Sequence, residues 1–305
     1  MKIQTENLPN FLFVGAAKSG TTSLYKYITQ HEQVFVPKGK ELRFFSNMRG
    51  DYVGPGDERS CNQRIIRHIE DYKKRFKGHT EKCMGDMSTE YLFYHQESIK
   101  NIKEYLSDDV KIFIILRNPV DRAYSHYLHM VRDDREHLSF EEAIDQEKER
   151  KENNWAWHWG YTTNGFYFEQ VKAYLHHFPN NTTVYIYDDL RANQEAMIND
   201  IFDKLDVNSI PINTGQVHNV SGIPKNRRLH RLINHPNRIL GLLKRGARLV
   251  NREDLLMQRL QTISKKNLNK PKMREETRKQ LIDMYETDIQ NLEKLLDRNL
   301  DMWRQ

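Results

Sequence analysis

Apolar residues in this chain gather in a few short unbroken runs set among long polar stretches. Phe11–Gly15 (FLFVG), Lys111–Arg117 (KIFIILR) and Thr182–Tyr187 (TTVYIY) are too short for buried helices and rich in β-branched and aromatic residues. They predict strands covered on both faces, and Lys82–Met87 predicts a weaker fourth. A helical pattern follows each strong run, at Thr21–Thr29, Pro119–Arg132 and Gln194–Leu205. Such alternation predicts an α/β fold with a central parallel sheet, right-handed crossovers and flanking helices. Ligands of such sheets sit at the carboxyl ends of the strands, so the first two helices start at one ligand rim. Arg49–Ser60 (RGDYVGPGDERS) predicts an exposed loop, and the charged stretch 133–154 a solvated helix. No repeat or shift in composition marks a boundary, so residues 1–305 predict one domain, with a basic loop and C-terminal helices in 220–305.

Composition narrows the partners. A net charge of +6 and a pI near 9.1 favour anionic ligands. Nucleic acid is the plain expectation for a basic chain, yet 48 Lys and Arg are interleaved with 42 Asp and Glu and form no continuous stripe. That leaves an anionic cofactor or acidic substrate as the sharper reading. Two cysteines, Cys61 and Cys83, supply neither a disulfide framework nor a zinc quartet and suit a reducing compartment. No apolar run approaches the roughly 20 residues of a membrane span, and the first ten residues lack a signal-peptide core. A cytoplasmic protein is expected, with its oligomeric state open.

The most telling segment is Phe11-Leu12-Phe13-Val14-Gly15-Ala16-Ala17-Lys18-Ser19-Gly20-Thr21-Thr22-Ser23-Leu24. A strand, a small-residue turn and a helix opening in hydroxyl residues make an anion site, because the first amides of a helix lack backbone partners. Gly15 and Gly20 keep the spacing of the nucleotide-triphosphate loop G-x-x-x-x-G-K-[ST], but Thr21 stands at the lysine position and Lys18 lies inside the turn. Helix capping alone explains the hydroxyls. It does not explain a lysine between Ala17 and Ser19. A second cluster, Arg117-Asn118-Pro119-Val120-Asp121-Arg122-Ala123-Tyr124-Ser125, sets an arginine at a strand end before a capped helix. Arg122 and Ser125 share a face of that helix, where an arginine fork and a hydroxyl suit a second phosphate. An arginine capping the sheet and a packed serine explain the same residues equally well.

AAKSGTTSL followed by LRNPVDRAYSHY resembles the motif pair of sulfotransferases that use 3′-phosphoadenosine 5′-phosphosulfate. The motif after Gly165 (GFYFEQV), the strand and acidic turn VYIYDDL, and the last helix with its terminal tryptophan are similar to further stretches of that family. The likeness therefore spans nearly the whole chain, and it implies a P-loop-like fold. It implies that Lys18, Ser19, Gly20, Thr21, Thr22 and Ser23 cradle the 5′-phosphosulfate, and that Arg117 and Ser125 hold the 3′-phosphate, with Tyr167 in the site. It also implies that Lys225, Arg227 or Arg228 of the loop 217–228 closes over the nucleotide, though a solvated basic face is the plain alternative.

Pro37-Lys38-Gly39-Lys40-Glu41-Leu42-Arg43-Phe44-Phe45 is similar to the K-E-x-x-F-F stretch of the heparan-sulfate-type branch, where the glutamate deprotonates the acceptor. The matching base is Glu41, with Lys40 and Arg43 holding it ionised or contacting the sulfuryl group. Arg43 departs from the small or histidine-like residue usual there, and His126 and His95 stand as reserve bases. Trp155 and Trp157 are candidates for an acceptor wall, although tryptophans more often pack in a core. Asp86 either orients the loops or caps a strand end.

The resemblance implies in-line transfer of a sulfuryl group from 3′-phosphoadenosine 5′-phosphosulfate (PAPS) to a hydroxyl, less readily an amine, of a carbohydrate or small natural product. The other product is 3′-phosphoadenosine 5′-phosphate (PAP). No metal is expected, because a sulfuryl group carries less charge than a γ-phosphoryl group. Two rivals stand beside it: a kinase or NTPase with a degenerate loop, and a nucleic-acid-binding protein whose affinity would fall steeply with salt.

Overall fold

The computed structural model describes residues 8–214, 222–234, 241, 245, 253–269 and 271–305. Five parallel strands form one sheet in the order β2-β3-β1-β4-β5. They are β1 (Phe11–Gly15), β2 (Val34–Phe35), β3 (Cys83–Asp86), β4 (Lys111–Leu116) and β5 (Thr182–Ile186). The expected α/β architecture is what the chain adopts. Main helices are α1 (Thr21–Ile28), α2 (His95–Tyr105), α3 (Pro119–Arg132), α4 (Phe168–His177), α5 (Gln194–Lys204) and α6 (Glu275–Leu296). The two-residue strand β2 escapes pattern reading, because Val34-Phe35 is too short to show a period. Arg117 and Tyr187 fall just outside the ladders, so the polar ends of two apolar runs become rim residues.

Chain contacts divide the protein into two compact units. The larger, residues 1–126, 138–219 and 274–305, contains the sheet. Every residue of β1 is buried, and Phe13 stacks on Phe113 of β4 at 4.8 Å between ring centres. On that side Leu24 and Ile28 of α1 and Ile198, Ile201 and Phe202 of α5 complete an apolar layer. The C-terminal segment reinforces the helix starts. Asp288 of α6 accepts hydrogen bonds from the amides of Tyr167 (2.8 Å) and Phe168 (3.2 Å), capping α4. Asn118 caps α3 through the Val120 amide and donates to the Trp303 carbonyl.

The smaller unit, residues 127–137 and 220–273, pairs Ile223 with Asn269 and Pro224 with Leu268 in an antiparallel ladder. It also contains helices Arg227–Asn234 and Glu253–Lys266, and Asn226 and Asn267 exchange bonds of 2.9 and 3.0 Å beside the ladder.

Two polar stretches differ from their expected form. The end of Arg49–Ser60 is a short helix, Asp57–Ser60, and Asp57 is fully buried, its carboxylate bonded by Gly54, Ala156, His158 and Trp159. The stretch 133–154 is not one solvated helix but two short ones, Phe140–Asp145 and Glu147–Glu152. Ser139 and Glu142 form a reciprocal capping box that starts the first. Glu147 and Arg150 are buried in the second, Glu147 being held by Thr162 and Thr163.

Candidate active site

Because all five strands run parallel, the segments that follow them emerge at one edge of the sheet. Lys18, Glu41, Met87, Arg117 and Tyr187 follow β1, β2, β3, β4 and β5 in turn. Gly20 sits at the start of α1 with φ of 91°, where a side chain would lie 2.9 Å from the Tyr187 ring. No side chain caps α1. The Ser19 hydroxyl is wholly buried and has no protein partner. Arg117 donates to the Lys18 carbonyl at 3.0 Å and lies over the Tyr187 ring at 5.1 Å. The Tyr167 hydroxyl, buried behind it, donates to the Arg117 carbonyl at 3.1 Å. One network therefore fixes the turns after β1, β4 and β5. Ser125 is buried on α3, while Arg122 turns its fork inward to the Tyr161 carbonyl.

Among the described residues other than glycine, asparagine and aspartate, only Lys18, Glu41 and Arg43 have positive φ, at 70°, 62° and 60°. A long side chain in the left-handed region is strained by about 1–2 kcal/mol, and such strain concentrates at functional sites. All three are among the residues the sequence singles out, Lys18 and Glu41 at motif positions and Arg43 as the departure beside Glu41.

The Glu41 segment is anchored on both sides. Its amide donates to the Met87 carbonyl at 3.2 Å, and the amide of Arg43 donates to Ser88 Oγ at 3.2 Å. The Tyr91 hydroxyl accepts from the amides of Phe44 (3.1 Å) and Phe45 (3.4 Å) and donates to Asp86 at 2.7 Å. Asp86, raised in pKa by burial, also accepts from Ser88 and Tyr72. Asp86 is therefore the hub that ties the Glu41 segment to β3.

Glu41 accepts from Arg43 Nη2 at 3.1 Å and lies 3.8 Å from Lys40 Nζ, with 26% of its side chain exposed. Burial raises its pKa, but the charges of Lys40 and Arg43 outweigh burial and hold the carboxyl below its ordinary value. A groove of about 780 Å³ opens beside it, lined among others by Lys38, Lys40, Arg64, Arg67 and Arg75.

Sequence reasoning missed Glu90. It lies in the turn Thr89–Tyr91, fully buried, and neither carboxyl oxygen has a hydrogen-bond partner. Burial pushes it up to about 8 despite the charge of Arg43 nearby. Its signal was faint: one acid in GDMSTEYL, just past a strand end. Gly15 admits this turn, since a side chain there would meet Leu92 Cβ at 2.5 Å.

The other candidates scatter. Trp155 packs edge-on to Trp159 at 4.7 Å with Arg150 over both rings. Trp157 stacks on Phe93 at 6.1 Å and lies 6.3 Å from His126, which is buried. His95 borders a separate cleft of about 410 Å³ with Glu169, His176 and His177. Lys225 is exposed and its amide donates to the Asn267 carbonyl at 2.7 Å. Residues 217–221 of the basic loop and the side chains of Arg227 and Arg228 lie outside the described residues. No group of three or more His, Cys, Asp or Glu among the described residues could hold a metal ion.

An uncapped helix start, a left-handed lysine, a buried hydroxyl without a partner and an adjoining arginine fit a phosphate-bearing ligand. Fold and rim together define a P-loop-like α/β protein. Residues 8–293 match the family model described as the sulfotransferase domain, and the chain belongs to that family. The chain therefore carries a sulfotransferase domain. A solved sulfotransferase from Alicyclobacillus acidocaldarius is 30% identical with a TM-score of 0.77, covering 98% of this chain and 99% of that one. The membrane-associated sulfotransferase kil1 of Dictyostelium discoideum is 22% identical over 70% of this chain. Human bifunctional heparan sulfate N-deacetylase/N-sulfotransferase 3 is 30% identical over 41% of it. The chain spans 59% and 13% of the lengths of these two relatives. No helix among the described residues is long and apolar enough to cross a membrane.

Proposed function

We propose that this chain transfers a sulfuryl group from PAPS to a hydroxyl of an acidic carbohydrate or similarly charged small molecule, with Glu41 as general base. The observation that carries the reading is that the strained residues Lys18 and Glu41 fall at the matching positions of two family motifs, with Arg43 strained beside Glu41. The donor supplies the sulfuryl group and departs as PAP. Lys18, Ser19 and the first amides of α1 would hold its phosphosulfate end, and Arg117 with Ser125 its 3′-phosphate. Glu41, kept anionic by Lys40 and Arg43, takes the proton of the attacking hydroxyl. Lys18 and the loop amides are placed to offset negative charge on the leaving oxygen.

The groove beside Glu41 supports an anionic acceptor. Lys38, Lys40, Arg64, Arg67, Lys74 and Arg75 line it against only Glu41 and Asp71, and Lys74 is already paired with Asp71 at 2.8 Å. The heparan sulfate relatives agree with such an acceptor and keep an amine in view as the reacting group.

Thermal denaturation with PAP, or with ATP with and without Mg²⁺, tests the donor. PAP at about a hundred times its dissociation constant should add roughly 2.7 kcal/mol of stability. Stabilisation by Mg²⁺-ATP but not by PAP would replace this reading with the kinase one.

A further inference from the structure

Behind the Glu41–Arg43 pair lies a charge arrangement that the transfer reaction itself does not require. Arg43 is 5% exposed, and its fork is divided. Nη2 donates to Glu41, Nη1 donates to the Ser60 carbonyl at 2.7 Å, and Nε has no hydrogen-bond partner. The charges of both Glu90 and Glu41 act on Arg43, although only Glu41 is bonded to it. Both oxygens of Glu90 are buried and without a hydrogen-bond partner, although a buried polar group almost always has one.

The Glu90 turn is held rigidly against both halves of the site. The Leu92 amide donates to the Val14 carbonyl at 2.7 Å, beside the anion loop, and Tyr91 grips the amides of Phe44 and Phe45. On the far side Tyr174 of α4 donates to the Tyr91 carbonyl at 2.8 Å. Such a carboxyl is poorly explained as a structural tie, because it ties nothing.

We propose that Glu90 is a positioning residue which, while protonated, leaves Arg43 to Glu41, and which on ionising draws Arg43 away and disorients the base. The inference rests on the reading of Glu41 as the base. One guanidinium faces two carboxyls, and the proton on Glu90 decides which of them receives it.

Glu90 faces Arg43 and Glu41 from the segment after β2, Asp86 from β3, Tyr91 and Tyr94 from its own turn and its flank, and Tyr174 from α4. Burial raises all three tyrosines, so they stay neutral while Glu90 titrates near 8. Asp86 and Glu41 are like charges that resist ionisation of Glu90, while Arg43 and the Glu90 backbone amide favour it.

The test is the pH profile of kcat at saturating donor and acceptor, in the wild type and in Glu90→Gln. The wild type should lose about tenfold between about pH 6.5 and 9.5, with an inflection near 8, and the variant should lose less than about twofold. Superimposable profiles would overturn the proposal. So would a wild-type profile with no inflection. Crystal structures of the wild type at those two pH values need neither a variant nor turnover. Arg43 should bond Glu41 in the acid form and Glu90 in the alkaline form, and an unchanged Arg43–Glu41 bond would refute the switch. If Arg43 changes partner but no acceptor is ever sulfated, the sulfuryl-transfer reading fails while the switch stands.

Discussion

Glu41 and Glu90 are two glutamates of one small cluster, driven apart in pKa by their surroundings. Glu41 is buried enough to be raised, but Lys40 and Arg43 reverse the shift and bring it below its ordinary value. A lowered carboxyl stays charged as pH falls, so the base is lost only below about pH 4.5, and kcat/KM should show no acid limb above about pH 5. Glu41→Gln should cut turnover on the order of a hundredfold while PAP still binds, measured by turnover and calorimetry together. Lys18→Ala should abolish transfer without lowering the melting temperature, because a strained left-handed lysine contributes little to the fold. Glu90 is shifted the other way. The folded state keeps its proton while the unfolded chain releases it, so stability falls as pH rises from about 4.5 to about 8. Glu90→Gln lacks that loss, and its melting temperature should gain on the wild type steadily across the same range. Lys18 and Glu41 were legible in the sequence as residue types in motif positions, and Arg43 only as a departure beside them. Glu90 was not, since nothing local shows that a lone acid after a strand will be sealed from water.

Among the elements, the segment 51–57 shows how a polar loop becomes part of the core. Asp57 accepts from the amides of Gly54 (3.1 Å) and Ala156 (2.8 Å), from Trp159 Nε1 (3.0 Å) and from His158 Nε2 at 2.9 Å. Burial raises its pKa, but the bond and charge of His158 bring it down to about 2. The paired carboxylate contributes stability that is complete above about pH 4 and lost as pH falls toward 2. Asp57→Asn should cost about 2 kcal/mol at neutral pH, read from urea unfolding, and the gap should close in acid. Its effect on turnover would show whether the tryptophans packed on this loop matter to the acceptor. The sequence marks this stretch as charged and turn-rich, which is correct, yet three of the four donors to Asp57 lie about a hundred residues away. A local pattern cannot register them.

At the scale of the whole molecule, the parallel sheet converts five separate strand ends into one rim. Neither the motif after β1 nor that after β4 is a site alone. Arg117 joins them by donating to the Lys18 carbonyl, and Tyr167 braces Arg117 from behind. Arg117→Ala should therefore weaken PAP more than adenosine 5′-phosphate, and equal losses would argue against a 3′-phosphate contact. Charge acts over the same range. The cations along the groove beside Glu41 should make rates with an anionic acceptor fall as ionic strength rises, since the Debye length shrinks from about 10 Å at 0.1 M to about 3 Å at 1 M. Rates with a neutral acceptor should barely change. A salt-independent rate with the anionic acceptor would count against the groove as its binding surface.

Short apolar runs followed by amphipathic helices were enough to determine a parallel α/β sheet, and ordered motifs at two strand ends were enough to determine the family. Both signals are local, written in consecutive residues and in the pairing of strand with following helix. Tertiary structure alone decided which polar groups would be stranded in the interior, because burial and charge coupling arise only when distant segments meet. It bonded Arg43 to Glu41 within reach of the charge of Glu90, gave Asp57 its four donors and put a strained lysine against the fork of Arg117.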